Sequence, residues 1–507
     1  MIGNAVGALT AAAALAGGVR WLRVAQREHY IASSVTRFAI RWWASRPVNQ
    51  VLGALLAVCV AVAWAGWWEA AAAAGAVSLA APVGLSYRGR SAPLAWTRRL
   101  RTLAAVGALL VIAIAGLGAL LRVPAGVGAT LAAGAPLLAD LALAITAPLE
   151  RRLRAAFVRA AARRLTEVSP RVVAITGSYG KTSTKFYAGH LLRSKYTTVT
   201  SPASFNNMAG LSRAINERLM PGTEVFVAEM GTYGPGEIRA LCQWLEPEVA
   251  VITAVGQVHL ERMGSIEVIA GAKAEIFERA KVGVINVDSP HLRGVAASFQ
   301  QRGGRLIRCS AVDRSADVLV TVDGDRLSAF VHGHPLGDVR LPGGFPVNLA
   351  CAVGVALALD IPGSDIASRL ATLPTPEHRQ TVLSAPNGVV VIDDTYNSNP
   401  DGAAGALATL TQLAANRRTV VVTPGMVELG REQFGANEQF ARRAAATATD
   451  VLIVGRTNRR ALLRGAAAGP AAVTVCPNRA EAVAWVRRHL SQGDAVLYEN
   501  DLPDHYP

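Results

Sequence analysis

Residues 172–184 leave little freedom of fold. An apolar, largely β-branched run, Val172 to Ile175, leads into Thr176-Gly177-Ser178-Tyr179-Gly180-Lys181-Thr182-Ser183-Thr184 and then a helical stretch. The glycines therefore fall where a strand turns tightly into a helix N-terminus. Such a turn gathers backbone N–H groups at the positive end of a helix dipole and cradles phosphate. Gly177, Ser178, Tyr179, Gly180, Lys181, Thr182 and Ser183 form the candidate cradle, in which Lys181 reaches terminal phosphates and the Thr182 hydroxyl faces magnesium. The spacing is not the commonest phosphate-loop pattern, because Gly177 lies only three residues before Gly180 and position 175 is isoleucine. An ordinary glycine-rich turn would not require strand, glycines, Lys-Thr and helix to agree in order.

Composition singles out the lysines. Of 51 basic residues only five are lysines (Lys181, Lys185, Lys195, Lys273, Lys281) and the other 46 are arginines. A primary amine is a compact point charge that can also be covalently modified, and a guanidinium replaces it in neither role. A lysine kept in an arginine-rich chain hints that its amine matters.

The formal charge of +15 would suit nucleic acid, but its distribution does not. Residues 1–170 carry 18 arginines against Glu28, Glu69, Asp140, Glu150 and Glu167, which leaves only +2 for the remaining 337 residues. Basic charge concentrated in an apolar N-terminal region points to a membrane, and no nucleic-acid partner is expected. The five cysteines (Cys59, Cys242, Cys309, Cys351, Cys476) are scattered without metal-ligand pairs, as suits reduced cytosolic thiols.

Apolar stretches at about 2–19, 49–68, 70–86, 102–121 and 124–148 each approach the length of a membrane-crossing helix, the third being the shortest. Arg20, Arg23, Arg27, Arg37, Arg41 and Arg46 separate the first two; Arg88, Arg90, Arg98, Arg99 and Arg101 separate the third and fourth. By the positive-inside rule both segments face the cytoplasm, so five spans put the N-terminus outside and the phosphate loop inside. A cleaved signal peptide fits poorly, because four more apolar runs follow the first. Asp140 falls within the fifth stretch, either as a functional charge or as a helix contact. Residues 149–165 alternate Leu149, Leu153, Phe157 and Leu165 with six arginines, either a basic amphipathic helix on anionic headgroups or a solvated linker.

From residue 171 the chain alternates strands (near 171–176, 224–230, 249–255, 283–288) with helices (near 182–194, 209–219, 265–281, 290–301), which implies a mostly parallel sheet covered on both faces. Ligands gather at the carboxyl ends of such strands. Thr182, Glu229 and His259 all fall at those ends or just beyond, and together they make a plausible oxygen-and-nitrogen magnesium site. Short alternating runs over 317–341 suggest antiparallel hairpins, and a helix near 347–359 ends the domain. A second strand-helix series, with strands near 388–393, 419–423, 450–455, 472–476 and 495–499, forms a small doubly wound domain after a hinge at Ala371 to Gln380. The expected division is 1–148 transmembrane domain, 149–170 basic linker helix, 171–371 ATP-binding central domain and 372–507 C-terminal domain.

Over about 171–507 the chain resembles the ATP-dependent Mur ligases that build the peptidoglycan stem peptide, most closely the branch that adds D-alanyl-D-alanine. The matching stretches are Ile175 to Lys185, Ser204-Phe-Asn-Asn207, Glu229-Met-Gly231 with Pro235-Gly-Glu-Ile238, His259 to Ser265, Ala272 to Phe277, His378-Arg-Gln380, Ile392 to Pro400 and Met426 to Gly430, in family order. The resemblance implies an α/β fold: a P-loop Mur-ligase central domain plus a C-terminal doubly wound (Rossmann-like) domain, here preceded by an all-α transmembrane domain. It also implies ATP and Mg2+, with Lys181 and the loop amides on the β- and γ-phosphates, Thr182 and Glu229 on magnesium, and His259 on a second magnesium. Lys273 matches the family lysine that is carbamylated and supports that second ion. Arg379, Asp394, Asn397 and Asn399 match positions that close over the nucleotide, Asn348 a nucleotide-side asparagine, and Asn206 and Asn207 the substrate side; Lys181, Lys273, His259 and Arg379 would carry the chemistry. Departures are the missing UDP-sugar domain, Gly344-Phe345 in place of His-Asn, and Pro424-Gly425 in place of Gly-Asp.

The expected protein is therefore a multi-pass, cell-membrane ligase with cytoplasmic catalytic domains, its partners being ATP, an envelope-precursor substrate and membrane lipids. A ligase for another envelope peptide or polyglutamate-like polymer is the enzymatic alternative, and a nucleotide-binding membrane scaffold or regulator the non-enzymatic one. A scaffold has no need of a second-metal lysine.

Overall fold

The computed structural model describes residues 2–87, 94–202, 205–258, 260–324, 326–341, 345–374, 381–395, 399–413 and 417–502. The chain divides into two compact units, Met1–Ala155 and Ala156–Leu502. The first boundary falls inside a helix rather than at residue 148.

The N-terminal unit is helical: α1 (Ile2–Arg27), α2 (Ser34–Ala44), α3 (Pro47–Trp64), α4 (Trp68–Ala80), α5 (Arg98–Leu120), α6 (Pro124–Ala133) and α7 (Ala135–Val168), whose last residues belong to the second unit. Among the described residues three helices, α1, α3 and α5, are long and apolar enough to cross a membrane; α6 and α7, bent by 78°, make a fourth if counted as one span. The five stretches expected to span thus give three, or at most four, helices among the described residues with the length and composition to do so. The third apolar stretch forms only the 13-residue α4, roughly 20 Å at 1.5 Å per residue, which is too short to cross alone.

Beyond α4 the backbone from Ala81 to Tyr87 is non-helical, yet its polar groups find partners. The Arg20 guanidinium donates to the carbonyls of Ala81 and Leu79, the latter at 3.1 Å, and lies 4.2 Å over the Tyr87 ring. Arg23 donates to the Ser86 carbonyl. The Asn49 amide takes both backbone groups of Val83, accepting its N–H at 2.7 Å and donating to its carbonyl at 3.3 Å. Gly75 sits against Thr10 and Ala13, and Gly17 against Ser78. Contacts therefore advance along α1 from Thr10 to Arg23 as the chain runs forward from Ala71 to Ser86, so this stretch lies parallel to α1. Side chains stand in for water at the carbonyls of an unwound segment, the condition under which irregular backbone survives in an apolar medium.

Asp140 is the helix contact. Its carboxylate accepts from the N–H groups of Val35 (3.3 Å) and Thr36 (2.8 Å) in the first turn of α2. Ser33, the residue before that helix, has φ 66° and makes no side-chain cap, so a residue more than a hundred positions away supplies the capping oxygens.

The basic helix expected over 149–170 is the C-terminal half of α7, and its two parts behave differently. Leu149, Leu153 and Phe157 are exposed. Ala161, Leu165 and Val168 instead pack on the core of the second unit, and Arg164 donates to the Leu219 carbonyl at 2.5 Å.

The second unit opens with β1 (Arg171–Thr176), α8 (Lys181–Leu192), β2 (Thr198–Thr200), α9 (Met208–Arg218), β3 (Val225–Glu229), α10 (Glu237–Leu245), β4 (Val249–Ile252), α11 (Leu260–Met263) and α12 (Ile266–Ala274). It continues through β5 (Val282–Asn286), α13 (Arg293–Gln301), β6 (Arg305–Ser310), β7 (Val318–Asp323), β8 (Arg326–Val331), β9 (His334–Arg340), α14 (Pro346–Ala358) and α15 (Gly363–Leu370). One nine-stranded sheet results, ordered β2-β3-β1-β4-β5-β6-β7-β8-β9. It is parallel through β7 and antiparallel in the β7-β8-β9 hairpins, which extend the same sheet. The central strands are continuous apolar runs because both faces are covered. Val173 and Ile175 face α8 and α14, while Val172 and Ala174 face α9, α10 and α12. The order reverses around β1, which pairs with β3 on one side and β4 on the other, so the crevice for a ligand opens beyond its carboxyl end.

The chain finishes with β10 (Thr381–Ser384), β11 (Val390–Asp394), α16 (Pro400–Leu413), β12 (Thr419–Thr423), α17 (Gln433–Thr447), β13 (Asp450–Val454), α18 (Arg459–Ala466), β14 (Ala472–Cys476), α19 (Arg479–His489) and β15 (Ala495–Glu499). They form a six-stranded sheet ordered β10-β11-β15-β12-β13-β14, parallel except for β10. The proposed hinge lies partly outside the described residues, at 375–380.

Candidate active site

The strand-turn-helix forms where the sequence demands it. Gly180 has φ +81°, and a Cβ there would come within 2.3 Å of Asn348 Oδ1; a Cβ on Gly177 would lie 2.0 Å from Thr253 Oγ1. Both positions need glycine, the first for its left-handed backbone as well as its closeness. The loop is also tied from β4: Ser178 N–H donates to the Ala254 carbonyl at 2.8 Å and Thr253 Oγ1 to the Tyr179 carbonyl. Lys181 folds back onto the loop, its Nζ 2.7 Å from the Gly177 carbonyl and 3.3 Å from that of Ser178. Ser183 is buried in the first turn of α8.

Glu229, the last residue of β3, is 2 % exposed and is the centre of the polar cluster. Its Oε2 accepts from Thr182 Oγ1 at 3.0 Å and from Lys185 Nζ at 2.9 Å; its Oε1 accepts from Asn206 Nδ2 at 3.3 Å. Burial opposes its ionisation, but the charges of Lys185 and Lys181, with the hydrogen bonds from Lys185 and Thr182, hold the carboxyl below its usual range. A buried anionic oxygen beside a hydroxyl at the mouth of a phosphate loop is a donor set that fits magnesium. Thr182 and Glu229 are thus brought together as the sequence implied. His259 lies outside the described residues. Among the described residues no group of three His, Cys, Asp or Glu side chains could hold a metal ion.

Lys273, on α12, is 3 % exposed, and its Nζ has no hydrogen-bond or ion-pair partner among the described residues. Burial first, and the nearby charge of Lys181 second, push its pKa well below the usual lysine range. Lys273 is thus a buried lysine whose charged form is disfavoured where it stands.

Other expected residues divide. Asn348 lies against Gly180 and its carbonyl accepts from Thr184 Oγ1 at 3.4 Å, a place at the loop. Of the pair assigned to substrate, Asn206 touches Glu229, whereas Asn207 caps α9 by accepting from Gly210 N–H at 3.0 Å. Asn399 caps α16 in the same way through Gly402 N–H at 2.9 Å. Asp394 ends β11 beside Glu499 of β15. Arg379 and Asn397 lie outside the described residues.

Two residues escaped assignment. Lys185 carries the ion pair on Glu229; its sequence signals were a lysine where arginine is the rule and its place at the end of the matching stretch from Ile175, neither of which gave it a role. Glu499 is fully buried, accepts from Thr423 Oγ1 at 2.7 Å, and is pushed up to about 8 by burial, with Asp394 adding to the effect. Nothing in its sequence neighbourhood distinguishes it from a surface acid.

Comparison with known proteins agrees with this geometry. The Mur ligase middle domain matches residues 175–356 and the glutamate ligase domain of Mur ligases matches 378–498. The chain belongs to the Mur ligase family and is an ATP-dependent peptide ligase by class. It is 34 % identical over 359 residues to the UDP-N-acetylmuramoyl-tripeptide–D-alanyl-D-alanine ligase of Mycobacterium tuberculosis, covering 64 % of this chain and 69 % of that one. The crystal structure of MurF from Acinetobacter baumannii superposes with a TM-score of 0.60 at 25 % identity, over 69 % of this chain and 77 % of the other. MurF from Thermotoga maritima in complex with ADP shares the fold, with a TM-score of 0.60 at 24 % identity over 69 % and 80 % of the two chains.

Proposed function

We propose that this protein is a membrane-bound ligase that joins a carboxylate to an amine in peptidoglycan precursor synthesis, adding D-alanyl-D-alanine through an acyl phosphate. The observation that carries the reading is the convergence of Lys181, Thr182, Glu229 and the buried Lys273 on the crevice beyond β1.

A carboxylate is a poor electrophile. ATP's γ-phosphoryl passes to a carboxylate oxygen, ADP departs, the amine attacks the acyl carbon, and phosphate leaves with the amine's proton released to solvent or a base. The chain's residues supply position and charge. Lys181 exchanges its two loop carbonyls for phosphate oxygens, and the amides of 177–183 orient them. Thr182 and Glu229 would hold magnesium, which neutralises charge on the transferring group. Lys273, whose charged form burial disfavours, is suited to attack carbon dioxide: an N–C bond forms, one proton leaves, and the resulting carbamate would supply an anionic oxygen to the second magnesium that the resemblance also assigns to His259. Asp394 and Arg379 of the C-terminal domain would close over the nucleotide and exclude water from the acyl phosphate.

Membrane attachment rests on α1, α3, α5 and the bent α6–α7 pair. The stretch from α4 to Tyr87 lies parallel to α1, as the first and third crossings of such a topology must, and is sealed by Arg20, Arg23 and Asn49, which supports a crossing made of helix and a non-helical continuation. That fifth crossing restores both arginine-rich segments to one side. Reporter fusions at residues 30, 95 and 200 are expected to be cytoplasmic with the N-terminus outside; a cytoplasmic N-terminus overturns the five-crossing topology.

The M. tuberculosis relative has about a third of its length unmatched here, and apolar helices occupy the first 155 residues of this chain. That observation favours a second reading in which a similar core acts on another envelope peptide or polyglutamate-like polymer. Phosphate release by the purified full chain separates the readings. UDP-N-acetylmuramoyl-tripeptide with D-alanyl-D-alanine is expected to stimulate it only when both are present. Stimulation by lipid-linked precursors or single amino acids instead supports the second reading, and ATP turnover with no precursor overturns ligation.

A further inference from the structure

Lys185 lies one helical turn beyond Lys181 on α8, with its side chain 6 % exposed and that of its partner Glu229 3 % exposed. A pair so fully withdrawn from water loses about as much in desolvation as it gains in attraction, and well-packed apolar residues would serve stability as well. The location of the pair argues for more than stability. Lys185 Nζ and Thr182 Oγ1 meet on one oxygen of Glu229, at 2.9 and 3.0 Å, while Asn206 Nδ2 takes the other at 3.3 Å. The Glu229 N–H is fixed in turn by Ser201 Oγ at 3.1 Å. Three donors, two from α8 and one from the loop before α9, thus hold one carboxylate in a single orientation. The Thr182 proton points into it, so the lone pairs of that hydroxyl face away. In a chain that uses arginine for 46 of its 51 basic groups, this buried space holds a lysine. A planar guanidinium with five donors cannot place a single charge on one carboxylate oxygen without also crowding Thr182.

We propose that Lys185 is a positioning residue: its ammonium orients Glu229 against Thr182, so that the two present a preformed pair of oxygens to magnesium when ATP binds. This rests on the reading of Thr182 and Glu229 as the magnesium pair. In this role Lys185 acts through Glu229 rather than on nucleotide or metal directly. Partners of metal ligands act in this way by fixing ligand orientation.

The test reads binding rather than turnover: ATP affinity of the full chain in detergent micelles by titration calorimetry, at graded magnesium and in EDTA. Lys185→Met keeps the length and removes the charge; it is expected to weaken magnesium-supported ATP binding roughly 10- to 100-fold while leaving binding in EDTA within about twofold of wild type. Lys185→Arg is expected to recover little of the loss. Lys185→Met added to Glu229→Gln is expected to change nothing further, because the group it positions is already gone. Wild-type magnesium dependence in a folded Lys185→Met overturns the proposal. If Lys185→Met fails to fold, the double variant decides: magnesium dependence equal to that of Glu229→Gln supports positioning, and an additional loss overturns it. A wild-type protein that binds ATP with magnesium yet forms no amide with any precursor would sink the ligase reading and leave this result standing.

Discussion

The two units bury polar side chains for opposite ends. In the N-terminal unit Arg20, Arg23, Asn49 and Asp140 spend their hydrogen bonds on backbone: the carbonyls after α4 and the first N–H groups of α2. In the second unit Glu229 ends β3 with Lys185 of α8 turned onto it, and Lys273 of α12 is buried without a partner among the described residues. The contrast teaches how to separate structural from functional buried polarity. Where each polar atom answers a backbone group that the fold has orphaned, removal costs stability. Where ionisable side chains converge on an opening, removal costs chemistry.

The sharpest break of that contrast is Lys181→Ala, expected to cut ATP-dependent ligation by roughly 10^3-fold with little change in melting temperature. Steady-state phosphate release and a thermal scan check both halves, and full activity would show that the loop is not the active site. Next is Lys273. Lys273→Ala is expected to lose on the order of 10^2-fold in turnover while nucleotide affinity holds, and short added carboxylates to restore part of it. Lys273→Gln cannot supply the anion and should stay impaired; wild-type turnover of that variant in bicarbonate-free buffer would remove the carbamate.

Glu499 tests a buried acid on the fold's side of the line. Its pKa, about 8 in the folded chain, stands above its unfolded value, because burial first and Asp394 second outweigh the Thr423 hydrogen bond. The folded state therefore holds the extra proton: stability is fully present below the unfolded pKa, near 4.3, and falls as pH rises toward 8, by an amount on the order of a few kcal/mol. Denaturant unfolding of Glu499→Gln should lack this decline, so the variant gains on wild type as pH rises from 5 to 8. A decline identical to wild type would place the titration elsewhere. Smallest is Asp140→Ala, which removes the cap of α2 and should cost about 1 kcal/mol. Thermal denaturation in detergent reads that loss, and nucleotide affinity in the second unit should not move; a loss of ATP binding would blur the distinction between the two kinds of buried polarity.

Much was settled by sequence alone. Alternation of β-branched runs with helical stretches requires a covered parallel sheet, and glycines followed by Lys-Thr at the first strand end require a phosphate cradle there, because both depend on local pattern. Thr182, Glu229 and Asn348 came together as their motifs implied. Tertiary structure was needed for every role set by distance between segments. Asn207 and Asn399 sit in motifs yet cap the helices that follow them. Five apolar stretches could not reveal that the third is helical only as far as Ala80, since its length was hidden by residues whose carbonyls Arg20 and Arg23 complete from another helix. Lys185 showed as a composition anomaly but acquired a role only when β3 brought Glu229 to within 2.9 Å of it. Local periodicity fixes elements, because it is a property of neighbours in the chain. Burial and charge pairing decide what an ionisable residue is for, and those exist only after segments far apart in sequence have packed.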